Sequence, residues 1–77
     1  MRVKIADVDF YLGIYNANKR DDMPAYHTQR VNGNVNIVEY DIEREGYCVS
    51  SHCVLGLTTR EAYYVAMGLA NSVRRVR

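Results

Sequence analysis

The chain has no tryptophan, one phenylalanine, one proline and two cysteines. Two cysteines are too few for the multi-bridge framework of a small secreted domain. Cys48 and Cys53 also stand five positions apart in a segment that reads as strand, which sets them on opposite faces, so no internal disulfide is expected. An excess of either charge is missing as well. Ten Lys and Arg against nine Asp and Glu leave a net charge of +1, so no global field draws the chain to nucleic acid or to an anionic membrane. No apolar run approaches the ~20 residues of a bilayer span, and the opening MRVKIADVDF reaches Asp7 before a signal-peptide core has formed. The expected compartment is therefore cytoplasmic.

What is present is an ordinary globular balance. Hydrophobic residues make up 48% and charged residues 25%, far from the signature of disorder. In 77 residues this allows one thin core, and residues 1–77 are expected to form a single domain.

Periodicity orders the chain. Val8, Phe10, Leu12 and Ile14 alternate with Asp7, Asp9, Tyr11, Gly13 and Tyr15, which predicts a half-buried strand over residues 7–15. Val3 and Ile5 have the opposite parity, so a bulge or a separate short strand is expected around Ala6. The polar stretch Asn16 to Pro24 reads as a loop. Tyr26–Val31 and Asn34–Ile42 then flank Asn32-Gly33, which predicts a type I′ hairpin because both turn residues tolerate positive φ. Gly46 closes a longer turn, and Tyr47–Leu55 returns as the last strand of a meander. After a break at Gly56-Leu57, Thr58-Thr59-Arg60-Glu61 has the T-x-x-E spacing of a capping box. A helix is predicted from Thr58 to Arg77, with Ala62, Val65, Ala66, Leu69, Ala70, Val73 and Val76 on its inner stripe. The expected fold class is α+β: an antiparallel sheet of three to four strands with the C-terminal helix packed on one face.

Motifs that carry chemistry are weak. Asp7-x-Asp9 in a strand would place two carboxylates on one face about 6.7 Å apart, which suits either a divalent cation or plain solvent. Cys48, His52 and Cys53 with His27 offer zinc-type ligands, but Cys48 and Cys53 diverge across the pleat and His52 points opposite to Cys53. No metal, cofactor or catalytic residue is expected, and no enzyme.

Two surfaces are more informative. Glu39, Asp41, Glu43 and Glu45 share one parity and would form a carboxylate row able to dock on an arginine-lined groove, or merely the wet side of a strand. Val35 and Ile37 have the same parity, which asks for a twist, a bulge or partial cover near Ile37. On the helix, Tyr63, Tyr64, Met67, Asn71, Arg74 and Arg75 lie opposite the core stripe, where solvent alone would favour Glu and Lys. Seven tyrosines extend the point, since Tyr offers rigid contact area with a polar tip. Gly68, costly in mid-helix, suggests close approach of another backbone, as in a dimer.

The layout of strand, long loop, three-stranded meander and C-terminal helix, with the acidic strand and tyrosine-rich face, resembles at the level of architecture the small phage-encoded inhibitors of bacterial defence, the anti-CRISPR proteins. That resemblance implies a non-enzymatic protein-binding module in the host cytoplasm, whose partner is a nucleic-acid-binding effector complex. The stretch His52 to Val73, HCVLGLTTREAYYVAMGLANSV, is also similar to the last strand, corner and helix of three-stranded DNA-binding domains, the integrase arm-binding and AP2 types. Those sheets carry many Arg, Lys or Trp residues, whereas this meander sets Arg30 and Arg44 against four carboxylates. The expectation is thus a protein-binding module acting through Tyr63, Tyr64, Met67 and Arg74, the acidic hairpin, or both, with a homodimer as a further option and DNA binding as the alternative.

Overall fold

The computed structural model describes residues 2–41, 46–48 and 53–73, with Asp41 and 46–48 as backbone only. In chain order the elements are α1 (Ile5–Asn18), β1 (Ala25–Val31), β2 (Asn34–Asp41), β3 (Gly46–Cys48), β4 (Val54–Leu57) and α2 (Thr59–Val73). The α+β class and the C-terminal helix agree with expectation, and Val76 and Arg75 of the predicted helix lie outside the described residues.

The predicted first strand is instead a helix. Ile5, Val8, Leu12 and Tyr15 recur at helical spacing and turn inward, with Val8, Leu12 and Tyr15 buried. Its start is fixed by Asp7, whose carboxylate accepts the Lys4 backbone N–H at 2.9 Å. The change of phase at Ala6 is therefore neither bulge nor strand break, and the connecting loop shortens to Lys19–Pro24.

The hairpin forms as predicted. Asn32 and Gly33 both have positive φ, 52° and 82°, and Val31 pairs with Asn34. β1 runs along one edge of β2, and β3 and β4 share the other: Glu39–Asp41 pair with β3, Val35 and Ile37 with β4. The sheet thus has three strand positions, the third filled in two pieces. Gly56-Leu57 belongs to β4 rather than ending the strand before it. Three steps on β4 match two on β2 between the Val35 and Ile37 pairs, so β4 bulges opposite Asn36. Gly56 takes φ of 72° there and donates its N–H to Asn36 Oδ1 at 2.7 Å.

Both helices cover one face of the sheet. Tyr26, Val35 and Ile37 share that face through the register and join Val8, Leu12, Tyr15, Ala62 and Ala66 in one core. The alanines at i, i+4 spacing let α2 approach closely at the cost of apolar area. The α2 start is the predicted capping box: Glu61 N–H donates to Thr58 Oγ1 at 3.1 Å and Thr58 N–H to Glu61 Oε1 at 2.9 Å. Val38, fully buried, lies on the other face with the His27–Tyr40 ring pair, whose centroids are 4.8 Å apart.

The outward edge of β1 is closed by side chains of α1. Asn16 Oδ1 accepts the Tyr26 N–H at 2.9 Å while Asn16 Nδ2 donates to the Tyr26 carbonyl at 2.8 Å, so one amide takes the place of a neighbouring strand. Two residues further along, Thr28 Oγ1 donates to Asp9 Oδ1 at 2.6 Å.

Candidate functional site

The feature that stands out is a line of four aromatic rings crossing from α1 to α2. Phe10 and Tyr11 meet edge-on with centroids 5.3 Å apart, Tyr11 and Tyr63 at 5.5 Å, and Tyr63 and Tyr64 at 5.6 Å, with interplanar angles from 70° to 77°. Such T-shaped contacts set the positive edge of one ring against the negative face of the next and fix their orientation. The line is open to solvent at both ends, since Phe10 is 64% and Tyr64 60% exposed, while Tyr11 and Tyr63 are half-buried.

The side-chain hydrogen bond with Tyr11 is the largest cause that raises the Tyr63 phenol above its ordinary value, followed by burial and by the charge of Asp7 among others. Asp7 thus has two roles, capping α1 and lending negative potential to the ring cluster. Glu61, two residues before Tyr63, is about 200° from it around α2 and spends its carboxylate on the Thr58 N–H. Electron-rich ring faces with a carboxylate nearby are suited to receive a guanidinium or ammonium group.

The sequence pointed to Tyr63, Tyr64 and Met67, and all three lie outside the Ala62–Ala66–Ala70 stripe, with Met67 half-buried. Arg74 lies outside the described residues. Phe10 and Tyr11 were missed, because in a strand they would face opposite ways. The signal that recovers them is the spacing Ile5, Val8, Leu12, Tyr15, which puts Tyr11 on the flank of the helix toward α2.

The acidic row fares differently. Glu39 shares the helix-covered face with Tyr26 and Ile37 and is half-buried. After burial, its charge helps raise the phenols of Tyr15 and Tyr26. Glu39 is therefore part of the layer between sheet and helices. The side chain of Asp41, and Glu43 and Glu45 altogether, lie outside the described residues. The hairpin itself does not bulge near Ile37: its register is unbroken, the bulge lies in β4, and Val35, Ile37 and Glu39 stay on the one face that the helices cover.

The weaker motifs disperse. Asp7 and Asp9 are about 200° apart around α1, one bound to the Lys4 N–H and the other to Thr28, so they do not face one ligand. His27 is exposed and its ring meets that of Tyr40 at a tilt of 55°, while Cys53 Sγ accepts the Glu39 N–H at 3.3 Å. His52 and the Cys48 side chain lie outside the described residues, and no group of three or more His, Cys, Asp or Glu converges among the described ones. Gly68 is exposed, and a Cβ there would meet nothing within 4 Å in the chain itself.

The sheet face away from the helices presents Ala25, His27, Gln29, Val31, Asn34, Asn36, Val38 and Tyr40 from β1 and β2, with no Lys or Arg among them. Among the described residues no helix is long and apolar enough to cross a membrane. No protein-family model matches the chain, and no curated protein or solved structure matches it either.

Proposed function

We propose that this chain is a small, non-enzymatic protein-binding module, of the kind phages use to inhibit host defence complexes, and that it works in the host cytoplasm. The observation that carries the reading is the ordered ring line Phe10–Tyr11–Tyr63–Tyr64 beside Asp7. Rigid aromatics with polar tips give large contact area at small entropic cost. The Asp7 carboxylate favours a partner that presents arginine or lysine, as a nucleic-acid-binding effector does around its own channel. Tyr63, Tyr64 and Met67 form the primary contact, joined by Arg74, which follows α2 in sequence. The hairpin carboxylates Asp41, Glu43 and Glu45 are the second surface.

Direct duplex binding through the sheet is the competing reading. The face of β1 and β2 turned away from the helices, which holds no Lys or Arg, weighs against it, because phosphate contacts supply most of the affinity of such domains. The experiment is capture from bacterial lysate by immobilised protein, comparing the wild type with a Tyr63→Ala, Met67→Ala, Arg74→Ala triple variant and with Glu43→Lys, Glu45→Lys. Loss of a specific captured protein in the triple variant supports the helix face. Undiminished capture by both variants refutes both surfaces, and tight duplex binding that falls steeply with salt replaces the reading altogether.

A further inference from the structure

The side chains of α1 close the backbone of the β1 edge at one residue only. Asn16 takes both the N–H and the carbonyl of Tyr26, which identifies the even residues of β1 as those whose backbone turns away from β2. Thr28 and Arg30 follow in the same phase, and at Thr28 the contact from α1 runs through Asp9 to the hydroxyl and not to the backbone. The outward N–H and carbonyl groups of Thr28 and Arg30 have no partner among the described residues. Gln29 and Arg30 are exposed, and Arg30 enters no ion pair among the described residues. Beside this edge lies a groove of about 320 Å³ bordered by Asp9, Gly13, Asn16 and His27. It stays open because Gly13 brings no side chain, and no atom lies within 4 Å of where its Cβ would stand.

We infer that this edge pairs with the same edge of a second copy of the chain, antiparallel about a two-fold axis at Gln29. Only residues of outward phase can exchange ladder bonds, so a symmetric pairing must centre on Thr28, Gln29 or Arg30. Centring on Thr28 would need the Tyr26 groups that Asn16 holds. Centring on Arg30 would set two guanidinium groups opposite each other and call on the turn residue Asn32. Centred on Gln29, each Thr28 meets Arg30 of the other copy, and the pair exchanges both backbone bonds. Paired residues point to one face, so Arg30 of the second copy lies beside Thr28 on the helix side, where Asp9 Oδ1 accepts the Thr28 hydroxyl at 2.6 Å. A cation without an ion pair in its own copy is thereby brought to an exposed carboxylate of the other. On the far face the same register sets Val31, 44% exposed, against His27 at the border of the groove. An edge arginine ordinarily discourages strand pairing, but here it repels only in the register centred on itself. The second copy is favoured over an unrelated strand because it supplies the arginine at the one register that the Asn16 contact leaves open. The ladder is short and its area far below that of a stable dimer, so it forms only towards about 1 mM and is not populated in dilute lysate. This edge is separate from the Tyr63–Tyr64–Met67 surface on α2.

The test combines sedimentation velocity of the full chain up to about 1 mM with amide hydrogen exchange read by NMR between about 20 μM and about 1 mM. The wild type is expected to shift from monomer to dimer across that range. The Thr28 and Arg30 amides are expected to exchange at least about twofold more slowly at the upper concentration, while the Tyr26 amide, held by Asn16 in either state, keeps its rate. Arg30→Glu, at an exposed position, should melt as the wild type does and associate at least about tenfold more weakly, because a carboxylate then faces Asp9. A wild type that stays monomeric at about 1 mM, a dimer whose Thr28 and Arg30 amides exchange as in the monomer, or undiminished association of Arg30→Glu overturns the inference. Protection of the same two amides by an added arginine-rich peptide, with no self-association, assigns the edge to another chain and overturns it too. Tyr64→Ala, which disturbs only the other surface, must leave the self-association as it is.

Discussion

The two helices differ in how they are specified. α2 is amphipathic, with Ala62, Ala66 and Ala70 buried and a reciprocal Thr58–Glu61 cap, so its sequence states both where it begins and which way it faces. α1 is apolar on two opposite sides, Val8, Leu12 and Tyr15 inward and Phe10 and Ile14 outward, and it is oriented by tertiary contacts: Asn16 on Tyr26, Asp9 on Thr28 and the Tyr15 hydroxyl donating to the Pro24 carbonyl at 2.9 Å. α2 contributes close backbone approach, and α1 contributes most of the helix-derived apolar volume. Removing volume from α1 should therefore cost more than removing a local signal from α2.

The largest expected effect is Leu12→Ala, which opens a cavity between α1 and the sheet and should destabilise the fold by about 2–5 kcal/mol in urea denaturation. Equal sensitivity at the exposed Phe10 would break the distinction between the inner and outer faces of α1. Asn16→Ala removes both hydrogen bonds to the β1 edge and is expected to cost about 1–3 kcal/mol, the larger figure if the Tyr26 backbone groups stay dry.

Alkaline pH probes the same helix. Tyr15, Tyr26 and Tyr63 hold their protons more tightly in the folded protein than in the unfolded chain, Tyr15 and Tyr26 chiefly through burial and Tyr63 chiefly through its bond with Tyr11. The unfolded chain then loses protons first as pH rises. Stability should be fully present below about pH 10 and should fall as pH climbs through the raised folded values. Tyr15→Phe should cost about 1 kcal/mol at neutral pH through the lost bond to Pro24 and should make the alkaline decline shallower, measured by thermal melts against pH. The smallest effect belongs to α2. Gly68→Ala should stabilise the monomer by up to about 1 kcal/mol, since no neighbour within the chain occupies the space of the added methyl. A loss there would place another backbone against Gly68, as the sequence suggested.

This contrast also explains what could be read from the sequence. The hairpin and α2 were legible because their signals are local: Asn32-Gly33 sets its own dihedrals, and Thr58 and Glu61 satisfy each other within one turn. α1 was misread because residues 8 and 12 on its inner side and 10 and 14 on its outer side together make an alternation that a half-buried strand would also show. Its loop-like end, Asn16 to Asn18, is helical because Asn16 finds Tyr26 ten residues away, a contact no local pattern encodes. Of the candidate site, Tyr63 and Tyr64 could be named from helix geometry alone. Tyr11 and Phe10 could not, because their place depends on which element residues 5–18 form. Glu39 was assigned to a docking row on parity, and the same parity, shared with Val35 and Ile37, carried it to the covered side.

The central claim is that recognition belongs to the outer surface of the helices and not to the far face of the sheet. A photo-crosslinking phenylalanine analogue tests it most directly when placed in bacterial lysate at position 64, on the ring line, and separately at position 29, exposed on the β1 face turned away from the helices. The account predicts a discrete protein adduct from position 64, none from position 29, and loss of the adduct when Tyr63→Ala is added. An adduct from position 29 alone, or crosslinking to duplex DNA from that position, would contradict it.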